Sequence, residues 1–159
     1  MLFRSGRKDF NFDDNSWKLG KTGVGYDYGN RIGLNVSTMR NSTESVYIRV
    51  PFVVANLADF EEVILRLKYE DGFTAYINGK KIASDNSPRT LNWKSGAPQN
   101  RPDSIAITPV EFSISGFSNI IREGSNILAI QGLNNQVTSS DLLIHPEIIA
   151  YKKTEIKDT

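Results

Sequence analysis

Apolar residues at every second position, interrupted by Gly-bearing pairs, restrict this chain to sheet structure. Val46, Ile48, Val50, Phe52 and Val54 alternate with Tyr47, Arg49, Pro51 and Val53. Val63, Leu65, Leu67 and Tyr69 alternate in the same way with Glu62, Ile64, Arg66, Lys68 and Glu70. A period of two sends each set to one face of a strand, because the pleat turns successive side chains to opposite sides. Asp71-Gly72 and Asn78-Gly79 are the positive-φ pairs that two-residue hairpin turns require. Phe73, Ala75, Ile77 and then Ile82 resume the inward face, so residues 62 to 84 are expected to form a three-stranded antiparallel meander.

Beyond Asp85 the apolar spacing collapses into "DNSPRTLNWKSGAPQNRPDS", a connection with three prolines and one tryptophan. Loops of that length in compact domains are usually functional or disordered. Alternation returns at Ile105 and Ile107 and changes phase across Pro109 to Val110, Phe112 and Ile114, which predicts a bent edge strand. "GFSNIIREGSN" has room for one helical turn ended by Gly124, and "NILAIQGLN" and "DLLIHPEIIAY" read as two further strands. About eight short strands with little helix and no repeat predict a β-sandwich or barrel. At 159 residues the chain has the size of one domain, assigned to 9–151, with polar ends at 1–8 and 152–159 expected to fray.

Composition narrows the function classes. Nineteen basic against 18 acidic residues leave no excess of positive charge to release counterions from nucleic acid, so no nucleic-acid partner is expected. The absence of cysteine removes disulfides, thiolate nucleophiles and Cys-ligated zinc. No apolar run approaches the roughly 20 residues of a spanning helix, so no membrane insertion is expected. "MLFRSGRKDF" lacks the apolar core of a signal peptide.

"SWKLGKTGVGYDYG", "SVYIRVPFVV", "DGFTAYINGKKIASDN", "NILAIQGLN" and "SSDLLIHPEI" follow one another with a spacing that resembles a galactose-binding-domain-like module. It is the kind found in large extracellular bacterial proteins alongside lamin-tail or CotH-like domains, and the resemblance covers roughly residues 12 to 150. It implies an all-β fold, a two-sheet antiparallel jelly-roll β-sandwich. It also implies a non-catalytic accessory or binding module of an extracellular or cell-surface bacterial protein, with carbohydrate and neighbouring domains as partners. A structural or protein-interaction module without a small-molecule site is the competing expectation, and a small glycoside-acting hydrolase the third.

Sugars are held by aromatic faces against their C–H surfaces and by planar polar groups on their hydroxyls. Trp93 in the long loop has that character, with Asn86, Arg89 and Asn92 beside it. The same tryptophan would also serve to plug one end of the sandwich. Tyr26 and Tyr28, flanking Asp27, extend such a surface or pack in the core, and Asn134 joins them or only shapes its turn. Trp17 is expected in the core.

"GKT" at 20–22 fails as a phosphate loop, because Asn15 occupies the position of the first glycine. His145, the sole histidine, precedes Pro146 in a strand and is read as structural, and no G-x-S-x-G occurs. No catalytic residue is assigned. "DFNFDD" offers hard oxygen ligands without the EF-hand glycine or its closing glutamate. Jelly rolls of the wider fold often carry a structural calcium near the chain ends, which makes Asp13, Asp14 and Asp141 its candidate ligands here. No other cofactor is expected.

Overall fold

The computed structural model describes residues 5–156. It contains nine strands: β1 (Val24–Tyr26), β2 (Leu34–Asn35), β3 (Ser45–Val54), β4 (Phe60–Glu70), β5 (Gly72–Ile77), β6 (Lys80–Asp85), β7 (Val110–Ser113), β8 (Gly124–Leu133) and β9 (Leu142–Lys152). One short helix, α1 (Asp103–Ala106), precedes β7. A five-stranded sheet has the order β2-β1-β9-β4-β7 and a four-stranded sheet the order β3-β8-β5-β6. All pairings are antiparallel except β1 with β2. The all-β sandwich is therefore borne out.

The alternation works as expected within each strand. Val63, Leu65, Leu67 and Tyr69 of β4 and Leu142 and Ile144 of β9 face inward from one sheet. Ile48 and Val54 of β3, Leu128 and Ile130 of β8 and Phe73, Ala75 and Ile77 of β5 face them from the other. Phe73 sits at the centre, edge-on to Tyr69 at 4.8 Å and to Phe112 at 5.2 Å.

The expected three-stranded meander is not formed. β4 lies in the five-stranded sheet and β5 in the four-stranded one, so Asp71-Gly72 carries the chain across the sandwich instead of closing a hairpin. Asp71 is fully buried, where a hairpin tip would be solvated. Close approach explains the glycine: a Cβ at Gly72 would run into the Asn86 carbonyl oxygen. The second pair behaves as read, since Ile77 opposes Lys80 and both turn residues have positive φ, 50° at Asn78 and 85° at Gly79.

Two further expectations change. Ile105 does not begin a strand: residues 103–106 wind into α1, and β7 starts only at Val110, pairing with β4 alone as an edge. Trp17 is only partly buried and stands edge-on to Phe12 at 5.5 Å, outside the core between the sheets. The helical turn expected within "GFSNIIREGSN" is present at Phe117–Asn119, but it stops there, and Gly124 opens β8 instead of ending the turn.

The N-terminal segment lies against the outer face of the four-stranded sheet. Ser5–Lys8 form a short helical turn, and Arg49 of β3 binds both this turn and the stretch that follows. Its Nε donates to Asp14 at 2.7 Å, its Nη1 to the carbonyls of Arg7 and Asp9, and its Nη2 to those of Phe10 and Phe12. The five N–H groups of one guanidinium are thereby matched to five acceptors. Of the ends expected to fray, 1–8 and 152–159, residues 5–8 form the turn just described and Lys152 closes β9, while residues 1–4 and 157–159 lie outside the described residues.

Candidate functional site

The loop residues singled out from the sequence, with Tyr26, Asn134 and Asp141, fall at the end of the sandwich where β4 ends and β9 begins, whereas Asp13 and Asp14 lie on the N-terminal segment over β3. The long connection from β6 to α1 is fastened there along its length. Thr74 Oγ1 and Ser87 Oγ are 2.9 Å apart. Gln131 Nε2 donates to the Asn92 carbonyl and to Ser45 Oγ, both at 2.9 Å, and Ser45 Oγ donates to the Ser95 carbonyl. The Ala97 amide donates to the Asn134 carbonyl at 2.8 Å.

Asp71 holds the returning limb of this loop. Its two carboxylate oxygens accept the Arg101 amide at 2.7 Å and the Asn135 amide at 2.9 Å. Asn86 Nδ2 donates to the Asp71 carbonyl at 3.0 Å and to the Gln99 carbonyl at 2.6 Å. Arg101 lies 3.9 Å over the Tyr69 ring and donates to the Tyr69 carbonyl at 2.6 Å. Tyr69 in turn donates to Asp85, and burial followed by that acid pushes its hydroxyl up to about 12.

Trp93 is held at the surface, 49% exposed, with Lys94 Nζ 4.7 Å from its ring centre. Arg89 is exposed on the same loop. Asn92, also exposed, accepts the Lys94 amide with its side chain at 2.8 Å, while Asn86 is engaged inward as described. Tyr26, Tyr28 and Asn134 are buried. Tyr26 donates to the Ser139 carbonyl at 3.0 Å and receives Asn134 Nδ2 at 3.1 Å. Tyr28 packs with Ala106 and Leu143 on the outer side of the five-stranded sheet. The loop thus presents Trp93, Arg89 and Asn92 outward and keeps the other named residues within the fold.

Of the acids expected to meet, Asp14 pairs with Arg49 and Asp13 accepts the Asn15 amide at 3.1 Å. Asp141 instead gathers with Glu70, the last residue of β4, and Asp103, the first of α1. Glu70 is 1% exposed and its Oε2 has no hydrogen-bond partner. Burial, then Asp141, then the charges of Asp71 and Asp103 push its carboxyl up from 4.5 to about 9. A folded-state value above the unfolded one means that the folded protein binds this proton more tightly, so stability falls as pH rises between the two values. With divalent cations removed by EDTA, the melting temperature is expected to decline from about pH 4.5 to about pH 9, and Glu70→Gln to flatten that decline. Thermal melts across this range check it; an equally steep decline in the variant would contradict it.

Sequence reading missed Asp71, Gln131, Glu70 and Asp103. One signal was present, because "YEDG" puts two acids at the end of an apolar strand. Gln131 and Asp103 carried none, since only tertiary contacts distinguish them from other polar residues.

Comparison with family profiles and with curated proteins finds no match. Among solved structures the chain is similar to a calcium-binding mutant of beta-glucuronidase 2 from Bacteroides uniformis. The identity is 16% and the TM-score 0.49, over 87% of this chain and 16% of that one. It is also similar to the alfa-L-rhamnosidase of Aspergillus terreus, at 12% identity and TM-score 0.43, over 75% of this chain and 15% of that one. The Beta-D-Mannosidase of Dictyoglomus thermophilum is matched at 18% identity and TM-score 0.37, over 57% of this chain and 9% of that one. The chain thus spans about a tenth to a sixth of the solved chains it matches. Among the described residues, no helix is long and apolar enough to cross a membrane.

Proposed function

We propose that this sandwich is a non-catalytic accessory module that recognises carbohydrate through the loop bearing Trp93. The observation that carries the reading is a half-exposed indole on a loop braced from within by Ser45, Gln131, Asn134 and Asp71. A rigid aromatic platform stacks on the C–H face of a sugar at little entropic cost, and Arg89 and Asn92 on the same loop supply donors and acceptors for its hydroxyls. The bracing bonds are what keep that loop from rearranging on binding. The setting, an extracellular or cell-surface bacterial protein with further domains, follows from the resemblance in the sequence.

A second reading is favoured by one feature. Asn86 and Asn134 spend their side-chain amides on the fold, and Tyr26 and Tyr28 are buried, so the outward polar set is small. On that reading the domain spaces or joins its neighbours and holds no small molecule.

A glycan array probed with the wild-type domain and with Trp93→Ala separates the two. Carbohydrate recognition predicts binding by the wild type and about a tenfold weakening in the variant, or about 1.4 kcal/mol, the scale of a single aromatic stacking interaction. Because Trp93 lies outside the core, the variant should melt within about 0.5 kcal/mol of the wild type. Absence of any wild-type binding favours the spacer, and unaltered binding by the variant removes Trp93 from the site.

A further inference from the structure

We propose that Glu70, Asp103 and Asp141 form a binding site for a hard divalent cation, calcium, at the end of the sandwich where β4, α1 and the start of β9 meet. Each residue offers one carboxylate oxygen, and the three oxygens lie within 4.8 Å of one another. Oxygens that share a calcium ion at about 2.4 Å stand up to about 4.8 Å apart, so one ion can touch all three.

Clustered acids alone would say little, but Glu70 distinguishes this group. Its side chain is withdrawn from water, at 1% exposure, and aimed into the cluster with Oε2 unpartnered. No base compensates it: among the described residues the ion pairs are Lys8 with Asp9 and Arg49 with Asp14, and neither involves the three acids. To ionise there, Glu70 needs a counter-charge, and two further carboxylates supply the opposite of one.

Burial is graded across the group. Glu70 is buried, Asp141 half-buried and Asp103 exposed, so an ion can enter past Asp103 and keep water on its open side. The donors are all carboxylate oxygens, without histidine or thiolate, which suits calcium or magnesium over zinc. Calcium is chosen because it tolerates an irregular, partly hydrated shell, whereas magnesium demands near-octahedral order. Asp141 is retained from the ligands expected from the sequence, and Glu70 and Asp103 take the places of Asp13 and Asp14.

The ion would have a structural task. Asp103 follows the loop that bears Trp93, and Asp71 beside Glu70 already clamps Arg101 in that loop. A cation bridging Asp103 to Glu70 and Asp141 fastens the same limb to both β4 and β9. The calcium titration involves no glycan, so its outcome is independent of the Trp93 assignment.

Isothermal titration and thermal melting of the 159-residue chain test the site, with calcium chloride or magnesium chloride against EDTA, for wild type, Glu70→Gln and Asp141→Asn. The wild type is expected to bind one calcium and, at about a hundred times its Kd, to melt roughly 5–10 °C higher. Both amide variants keep the shape and lessen the repulsion, so they should fold in EDTA yet lose the calcium shift. No heat and no shift in the wild type up to about 10 mM calcium, above the range of weak extracellular modules, would overturn the site. A shift of the same size in both variants would place the ion elsewhere and overturn it too, and a larger shift with magnesium would overturn the choice of ion.

Discussion

Replacing Arg49 with methionine is expected to cost about 3 kcal/mol of stability and to free the N-terminal segment from the sheet. The side chain of Arg49 is 3% exposed, and its guanidinium is the common partner of Asp14 and four backbone carbonyls. Methionine fills similar space and donates nothing, so the five acceptors must return to water, which they can do only if the segment lifts. Asp14 is 40% exposed and recovers part of its solvation, which keeps the cost at the lower end for a broken ion pair. Lysine should rescue little, because one ammonium has three donors and no planar fork. Urea unfolding gives the energy, and limited proteolysis should show new cleavage between residues 5 and 17. An unchanged digestion pattern would mean that other contacts hold the segment, among them Arg7 over Tyr47 at 4.5 Å and Lys8 over Tyr76 at 5.6 Å.

Phe73→Ala should be costlier still, at about 3–5 kcal/mol. Phe73 is fully buried and lies edge-on to Tyr69 and Phe112, so its loss opens a cavity where the two sheets face each other. Relaxation into that cavity is limited, because β5 is hydrogen-bonded to β6 on one side and β8 on the other. The neighbouring alanine, Ala75, is equally buried but small, and no aromatic could occupy its place without displacing the opposing sheet. Denaturant unfolding of the variant measures the effect, and a loss below about 1 kcal/mol would show that the core collapses around the gap.

These two residues also show how much was legible beforehand. Phe73 could be placed in the core from the chain alone, because its neighbours at every second position are apolar too. Arg49 occupies the outward phase of an equally plain alternation, and nothing adjacent to it marks it as buried. Its burial depends on a segment some 40 residues earlier folding across it.

Much the same divides the two Gly-bearing pairs. Asn78-Gly79 closes the hairpin that its residues require. Asp71-Gly72 has equivalent local chemistry but crosses between sheets, because Asp71 finds the amides of Arg101 and Asn135 waiting for its carboxylate. A turn motif states what the backbone can do within four residues, and it is silent about which sheet the next strand joins.

The sequence alone determined the class of fold, the face that the alternating strands bury and the existence of a long loop carrying Trp93, whose exposure only the tertiary structure decided. All of these follow from local periodicity and turn chemistry, which act over a few residues. Only the tertiary structure decided that Asp71 anchors that loop, that Arg49 holds down the N-terminal segment, and that Asp141 meets Glu70 and Asp103 in place of Asp13 and Asp14. Those contacts join residues about 30 to 70 positions apart. Their partners become neighbours only when the two sheets close on a common core, and no spacing within the chain encodes that proximity.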